Sequence, residues 1–146
     1  MKKKVMLIIT TVIVVVLLCA LLCACVPANF EDAADNLEEA GYTVVATDGK
    51  SDNALGSILG GGSLEAVKAA LVSEVGELKG DIEACVVGVK DDEMCTIYYF
   101  TDSADAKKVY DAMAEDADDA KEEGYVIKKS GKVVFVGSEQ SYKDVR

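Results

Sequence analysis

The sequence predicts an α+β fold, a mainly antiparallel sheet with helices packed on one of its faces, behind an N-terminal apolar segment. Three observations predict it. Short β-branched runs alternate with amphipathic helical stretches from Phe30 to the C-terminus. Two junctions, Lys90-Asp91-Asp92-Glu93 and Ser130-Gly131, are short enough for hairpins, which make neighbouring strands antiparallel. No repeat or low-complexity linker divides the stretch 26–146, so one core suffices.

Taken in order, Asn29 is an N-cap for a helix in which Phe30, Ala33, Leu37 and Ala40 share a stripe. Glu31, Asp32 and Asp35 sit favourably near its positive end. Gly41 suits the left-handed C′ position, folding Tyr42 back on Leu37. Tyr42 to Thr47 is a short strand. After Asp48-Gly49-Lys50, Leu55, Ile58 and Leu59 offer one helical turn. Ser63 then caps a helix with Leu64, Val67, Leu71, Val75 and Leu78 on one stripe.

Ile82 to Val89 and Met94 to Phe100 are two strands joined by a two-residue turn at Asp91-Asp92. With that turn Cys85 faces Tyr98 and Cys95 faces Gly88, which puts the two thiols on opposite faces of the sheet. Two free thiols are expected, although a one-residue slip would reverse the assignment. Tyr98, Tyr99 and Phe100 alternate between faces and read as core. Asp102 or Ser103 caps a long helix that Gly124 stops, with Ala106, Val109, Tyr110, Met113, Ala117 and Ala120 inward. Tyr125 to Lys129 and Lys132 to Val136 form the second hairpin, and Ser138 caps a short terminal helix. The order is α-β-α-β-β-α-β-β-α. Embedded in it is β-α-β-β-α-β, the order of the ferredoxin-like split βαβ.

Ahead of this domain stand Met1-Lys-Lys-Lys, an uncharged run from Val5, and Leu22-Cys23-Ala24-Cys25. A basic n-region before an apolar h-region is an export signal. The positive-inside rule leaves the lysines in the cytoplasm and sends the rest across the membrane. Leu22-Cys23-Ala24-Cys25 resembles a bacterial lipobox, with Cys23 in place of the usual small residue. The resemblance implies a lipoprotein: Cys25 would carry a diacylglyceryl thioether and an N-acyl chain such as palmitate, anchoring the domain in the membrane. The run also approaches the roughly 20 residues of a membrane-spanning helix, so an uncleaved anchor is a second reading. Signal-peptidase cleavage after Ala28 is a third. The chain thus divides into a signal or anchor, 1–25, and an exported domain, 26–146.

Without the leader's three lysines, 12 basic residues face 26 acids, a net charge of −14. Such a surface repels nucleic acid and anionic headgroups and is expected to stand the domain off the membrane. The chain has no His, which removes the usual general base, the Ser-His-Asp triad and Cys/His zinc sites. Cofactors and metals are not expected. Asp111 to Glu123 reads as a solvated acidic helix face, since Ala120 breaks the EF-hand spacing. Gly60, Gly61 and Gly62, before a helix, are the weak candidates for ligand contact, although no P-loop ending follows them. The C-terminal segment 125–146 has five cations against two acids, and its lysines read as protection of an edge strand. The expected function is a non-catalytic binding domain on the cell envelope, with a protein or small-molecule partner. The alternatives are a structural or regulatory single-span protein and a carboxylate- or metal-dependent envelope enzyme.

Overall fold

In the computed structural model, which describes residues 25–48 and 64–146, the first helix begins where Asn29 can cap it. In α1 (Phe30–Glu39) the Glu31 N–H donates to Asn29 Oδ1 at 3.0 Å, pairing one of the donors that a helix start leaves unpaired. At its end Gly41 takes φ 91°. There Tyr42 N–H donates to the Leu37 carbonyl and Gly41 N–H to that of Glu38, both at 2.9 Å. This is the glycine termination predicted above, and it turns the chain into β1 (Thr43–Asp48). The apolar run before Cys25, the turn at Leu55 to Leu59, the Gly60–Gly62 candidates and the Ser63 cap lie outside the described residues.

α2 (Leu64–Val75) ends where Gly76 adopts φ 79°, so Leu78 packs from beyond the helix. β2 (Ile82–Lys90) and β3 (Glu93–Phe100) pair in the predicted register, with Cys85 opposite Tyr98, Gly88 opposite Cys95 and Lys90 opposite Glu93. Asp91 makes the turn at φ 50°, the one positive φ outside glycine among the described residues.

α3 (Ser103–Glu115) starts on Asp102, whose Oδ1 accepts from the Ala104 N–H at 2.7 Å. The single long helix predicted here breaks at Asp116 (φ −97°, ψ 12°) and resumes as α4 (Ala117–Glu122). Glu115, Asp116, Asp118, Asp119, Glu122 and Glu123 crowd like charges at three- and four-residue spacings, which destabilises a continuous helix. Asp also prefers a cap to an interior position. β4 (Tyr125–Ser130) and β5 (Val133–Ser138) turn at Gly131-Lys132, one residue later than predicted, with Gly131 at φ 56°. α5 (Glu139–Asp144) is capped by Ser138, whose Oγ accepts from Ser141 N–H at 3.0 Å.

The five described strands run β1-β2-β3-β5-β4, and every neighbouring pair is antiparallel. The α+β class and antiparallel sheet are as predicted; two finer expectations are corrected. β1 lies directly beside β2, Thr43 opposite Val89, whereas a split βαβ sets another strand between them. The helices also cover both faces of the sheet. Ala33 and Leu37 of α1, and Val145 just after α5, pack with Ala84, Val86, Cys95, Ile97, Tyr99 and Phe135. On the other face Leu71 of α2 and Ala106 and Val109 of α3 pack with Ile82, Phe100 and Val134. The physical reason is that the central strands are apolar on both sides. Val133, Val134 and Phe135 are buried consecutively, the pattern of a strand covered twice.

Ile82 reaches the second cluster through a bulge. The register shifts between Ile82 and Ala84, so Ile82 faces Phe100 while Ala84 faces Tyr99. The extra residue, Glu83, switches Ile82 to the α2–α3 side. On the opposite face Cys95 sits between Gly88 and Gly137. A Cβ on Gly137 would come 2.8 Å from Cys95 Cα and 2.9 Å from the Met94 carbonyl. Both are backbone atoms that cannot swing aside. Gly137→Ala is therefore expected to destabilise by about 1–3 kcal/mol through overpacking. Leu37→Ala, at a fully buried position, should cost about 2–5 kcal/mol. Urea unfolding of each variant checks both values.

Candidate functional site

The site grows from the point where the described chain begins. Cys25 is exposed, and the next residue, Val26, is only 6% exposed within the cluster beneath α1. The Tyr99 hydroxyl, on central strand β3, donates to the Pro27 carbonyl at 3.0 Å. Phe30 meets the Tyr99 ring edge-on at 6.2 Å between centroids. Desolvation pushes the Tyr99 hydroxyl well above its ordinary pKa, and the charge of Asp32 pushes it further the same way, so it remains a donor at neutral pH. Pro27 to Asn29 is thus tied at both ends. The fold grips the chain one residue after Cys25.

A shallow depression of about 30 Å³ lies at this point, lined by Cys25, Val26, Lys128, Lys129, Ser130 and Tyr142 among others. It is far smaller than the roughly 300–1,000 Å³ of ordinary small-molecule pockets. Its cations come from the far end of the sequence. Lys128 lies opposite Phe135 on the α1–α5 face, and Lys129 is opposite Val134. Lys128 Nζ stands 5.9 Å and the Arg146 guanidinium 5.2 Å from the Tyr142 ring centroid. That ring in turn packs edge-on against Phe135 at 5.2 Å. β4 is an edge strand, where exposed lysines discourage pairing with other chains, as read from the sequence. Being opposite Val134, the side chain of Lys129 lies on the α2–α3 face, and only Lys128 shares the face of Val26. Nothing local in the sequence signals that β4 runs beside Cys25; only the strand order brings it there.

Other reactive groups have internal roles. Cys85 and Cys95 are buried free thiols, as the two-residue turn required. Burial pushes Cys85 up to about 12. It pushes Cys95 up to about 11, against hydrogen bonds from the Gly88 backbone and Ser141 that favour the thiolate. Buried Asp105 accepts from the Lys79 and Gly80 N–H groups at 2.9 and 2.7 Å, holding the loop before β2 on α3. The carboxylates from Asp111 to Glu123 are all exposed, and among the described residues no three of His, Cys, Asp or Glu converge as metal ligands. No helix among the described residues is long and apolar enough to cross a membrane. Comparison with protein-family models, with curated proteins and with solved structures finds no match.

A fragment starting at residue 29 should be less stable than fragment 26–146 by about 1.5–3 kcal/mol, the value of burying one Val side chain; parallel urea titrations compare them. In fragment 26–146 both thiols should resist alkylation until the fold opens. The alkaline limb has a definite sign. Cys85 shifts from 9.0 to about 12 and Cys95 from 9.0 to about 11, and burial likewise raises Tyr98 from 10.0 to about 12. The unfolded chain therefore releases these protons first, and stability present below pH 9 should fall as pH rises toward 12. Urea midpoints across that range, with and without Cys85→Ala, give the slope that Cys85 carries.

Proposed function

We propose that this protein is a membrane-attached component of the cell envelope, held by lipid on Cys25 and presenting residues 26–146 outside as a non-catalytic binding domain. The observation that carries the reading is the contrast between two adjacent residues. The lipobox-like cysteine is exposed, whereas Val26 is locked into the core. A lipidated Cys25 would leave its acyl chains free to enter the bilayer without disturbing the fold. Several chains on one residue suffice for stable attachment, since each buried CH₂ adds about 0.8 kcal/mol. Export follows from the basic n-region and the apolar run behind it. The non-catalytic reading is supported by the chain's lack of His and by two domain thiols whose burial disfavours the nucleophilic thiolate. The net charge of −14 favours protein or small-molecule partners over nucleic acid.

A second reading rests on the length of the uncharged run from Val5 to Ala24, which matches the roughly 20 residues of a spanning helix. The protein would then be an uncleaved single-span subunit with a structural or regulatory role. Cys25→Ser separates the two. Under the lipid reading the variant accumulates as unprocessed precursor and no longer incorporates labelled fatty acid. Equal masses for variant and wild type, with Met1 or Lys2 still at the N-terminus, would establish the spanning helix instead.

A further inference from the structure

We infer that segment 26–29 is a strap that docks only after Cys25 has been lipidated and freed of its leader, and that a chain folded beforehand is a poor substrate for both steps. The inference rests on the lipid reading proposed above and adds an order of events to it. In the folded domain Val26 is buried in a cluster with Tyr99, Val133, Phe135 and Val145. The Pro27 carbonyl accepts from the Tyr99 hydroxyl at 3.0 Å, and Asn29 is engaged as the cap of α1. Cys25 is exposed, but it directly precedes a residue of that core.

Both reactions at Cys25 need slack beside it. In the first, a bond forms between Cys25 Sγ and the glycerol carbon of a phospholipid donor, and the departing phosphate headgroup takes the thiol proton. In the second, water splits the peptide bond between Ala24 and Cys25, leaving a carboxylate on Ala24 and an amine on Cys25. An enzyme must draw in the residues flanking the reacting bond, so a segment already engaged has to come loose first. The rate then scales with the fraction of chains in which it is loose. Burial of one Val side chain alone lowers that fraction about 10–100-fold. Sequence order supplies the timing. Tyr99 lies 72 residues beyond Pro27, and Val133, Phe135 and Val145 belong to the last strand and the C-terminus. A chain crossing the membrane with its N-terminus leading presents Cys25 before these residues arrive. Contacts of such sequence separation are also slow to form. The strap therefore closes on an N-terminus that is already complete.

The test uses three full-length chains refolded in detergent micelles, at equal folded content by circular dichroism. They are wild type, a chain with Gly-Ser-Gly-Ser inserted between Cys25 and Val26, and Tyr99→Phe. Each is given phosphatidylglycerol as donor and bacterial membranes that carry diacylglyceryl transferase and lipoprotein signal peptidase. Mass spectrometry follows thioether formation and loss of the leader. The insertion supplies slack while Val26 stays docked, so it should be processed about 10–100-fold faster than wild type. Tyr99→Phe leaves the sequence around Cys25 untouched and should be about 2–10-fold faster, the factor equivalent to one hydrogen bond. Either variant processed no faster than wild type would overturn the strap while leaving the lipid reading standing. Failure of all three chains to be processed would overturn the lipid reading, and the strap with it.

Discussion

The two-residue turn at Asp91-Asp92 is the constraint on which the rest of the molecule depends. It sets Lys90 opposite Glu93 and, through the period of two along each strand, decides which side chains of β2 and β3 face which helix layer. Both faces of these strands are buried, so a slip by one residue could not simply expose an apolar row. It would exchange the contents of two cores. Ala84, Val86 and Ile97 fit beneath α1, while Phe100 and Ile82 fit beneath α2 and α3. Asp91 holds φ 50° in this turn, a conformation that Asp tolerates better than most residues because its short polar side chain hydrogen-bonds locally.

The same register explains why the two domain thiols form no disulfide. Cys85 points to the α2–α3 side and Cys95 to the α1 side, so the sheet itself separates their sulfurs. Cys95 also occupies a place where larger neighbours would not fit, since glycines stand opposite it on both adjoining strands. The close approach of Gly137 to the Cys95 backbone and the contact of Gly88 with Leu37 let α1 and α5 settle on the sheet. The helices are then joined directly: Asn36 Nδ2 donates to the Val145 carbonyl at 3.0 Å, and the Tyr42 hydroxyl donates to Asp144 at 3.0 Å.

Legibility in the sequence followed the range of the interaction. Caps, glycine stops and the first hairpin were readable because each is decided within a few residues: Asn29, Gly41, Asp102 and Asp91-Asp92 act on their own neighbours. The two-sided burial of the sheet was present as the run Val133-Val134-Phe135, but a short apolar run alone does not say whether one or two layers cover it. The bulge at Glu83 carries no local mark, because it exists to reconcile Ile82 with a helix far along the chain. The break at Asp116 was masked by good helical spacing on the inward face, where the apolar stripe continues while the outward charges oppose it. The candidate site was least visible. Cys25 and Lys128 are about a hundred residues apart in sequence, and only the β3-β5-β4 order brings them to one depression.

That long-range meeting changes what a surface charge means. For a freely diffusing domain, a net charge of −14 would dominate its encounter with an anionic membrane. On the proposed lipid anchor the encounter has already happened, and what remains is a choice among orientations. An unstructured tether would leave that choice open, since a flexible chain explores about 5–6 Å × √n around its attachment. Here Val26 is buried one residue from Cys25, so the attachment fixes which end of the domain meets the bilayer first.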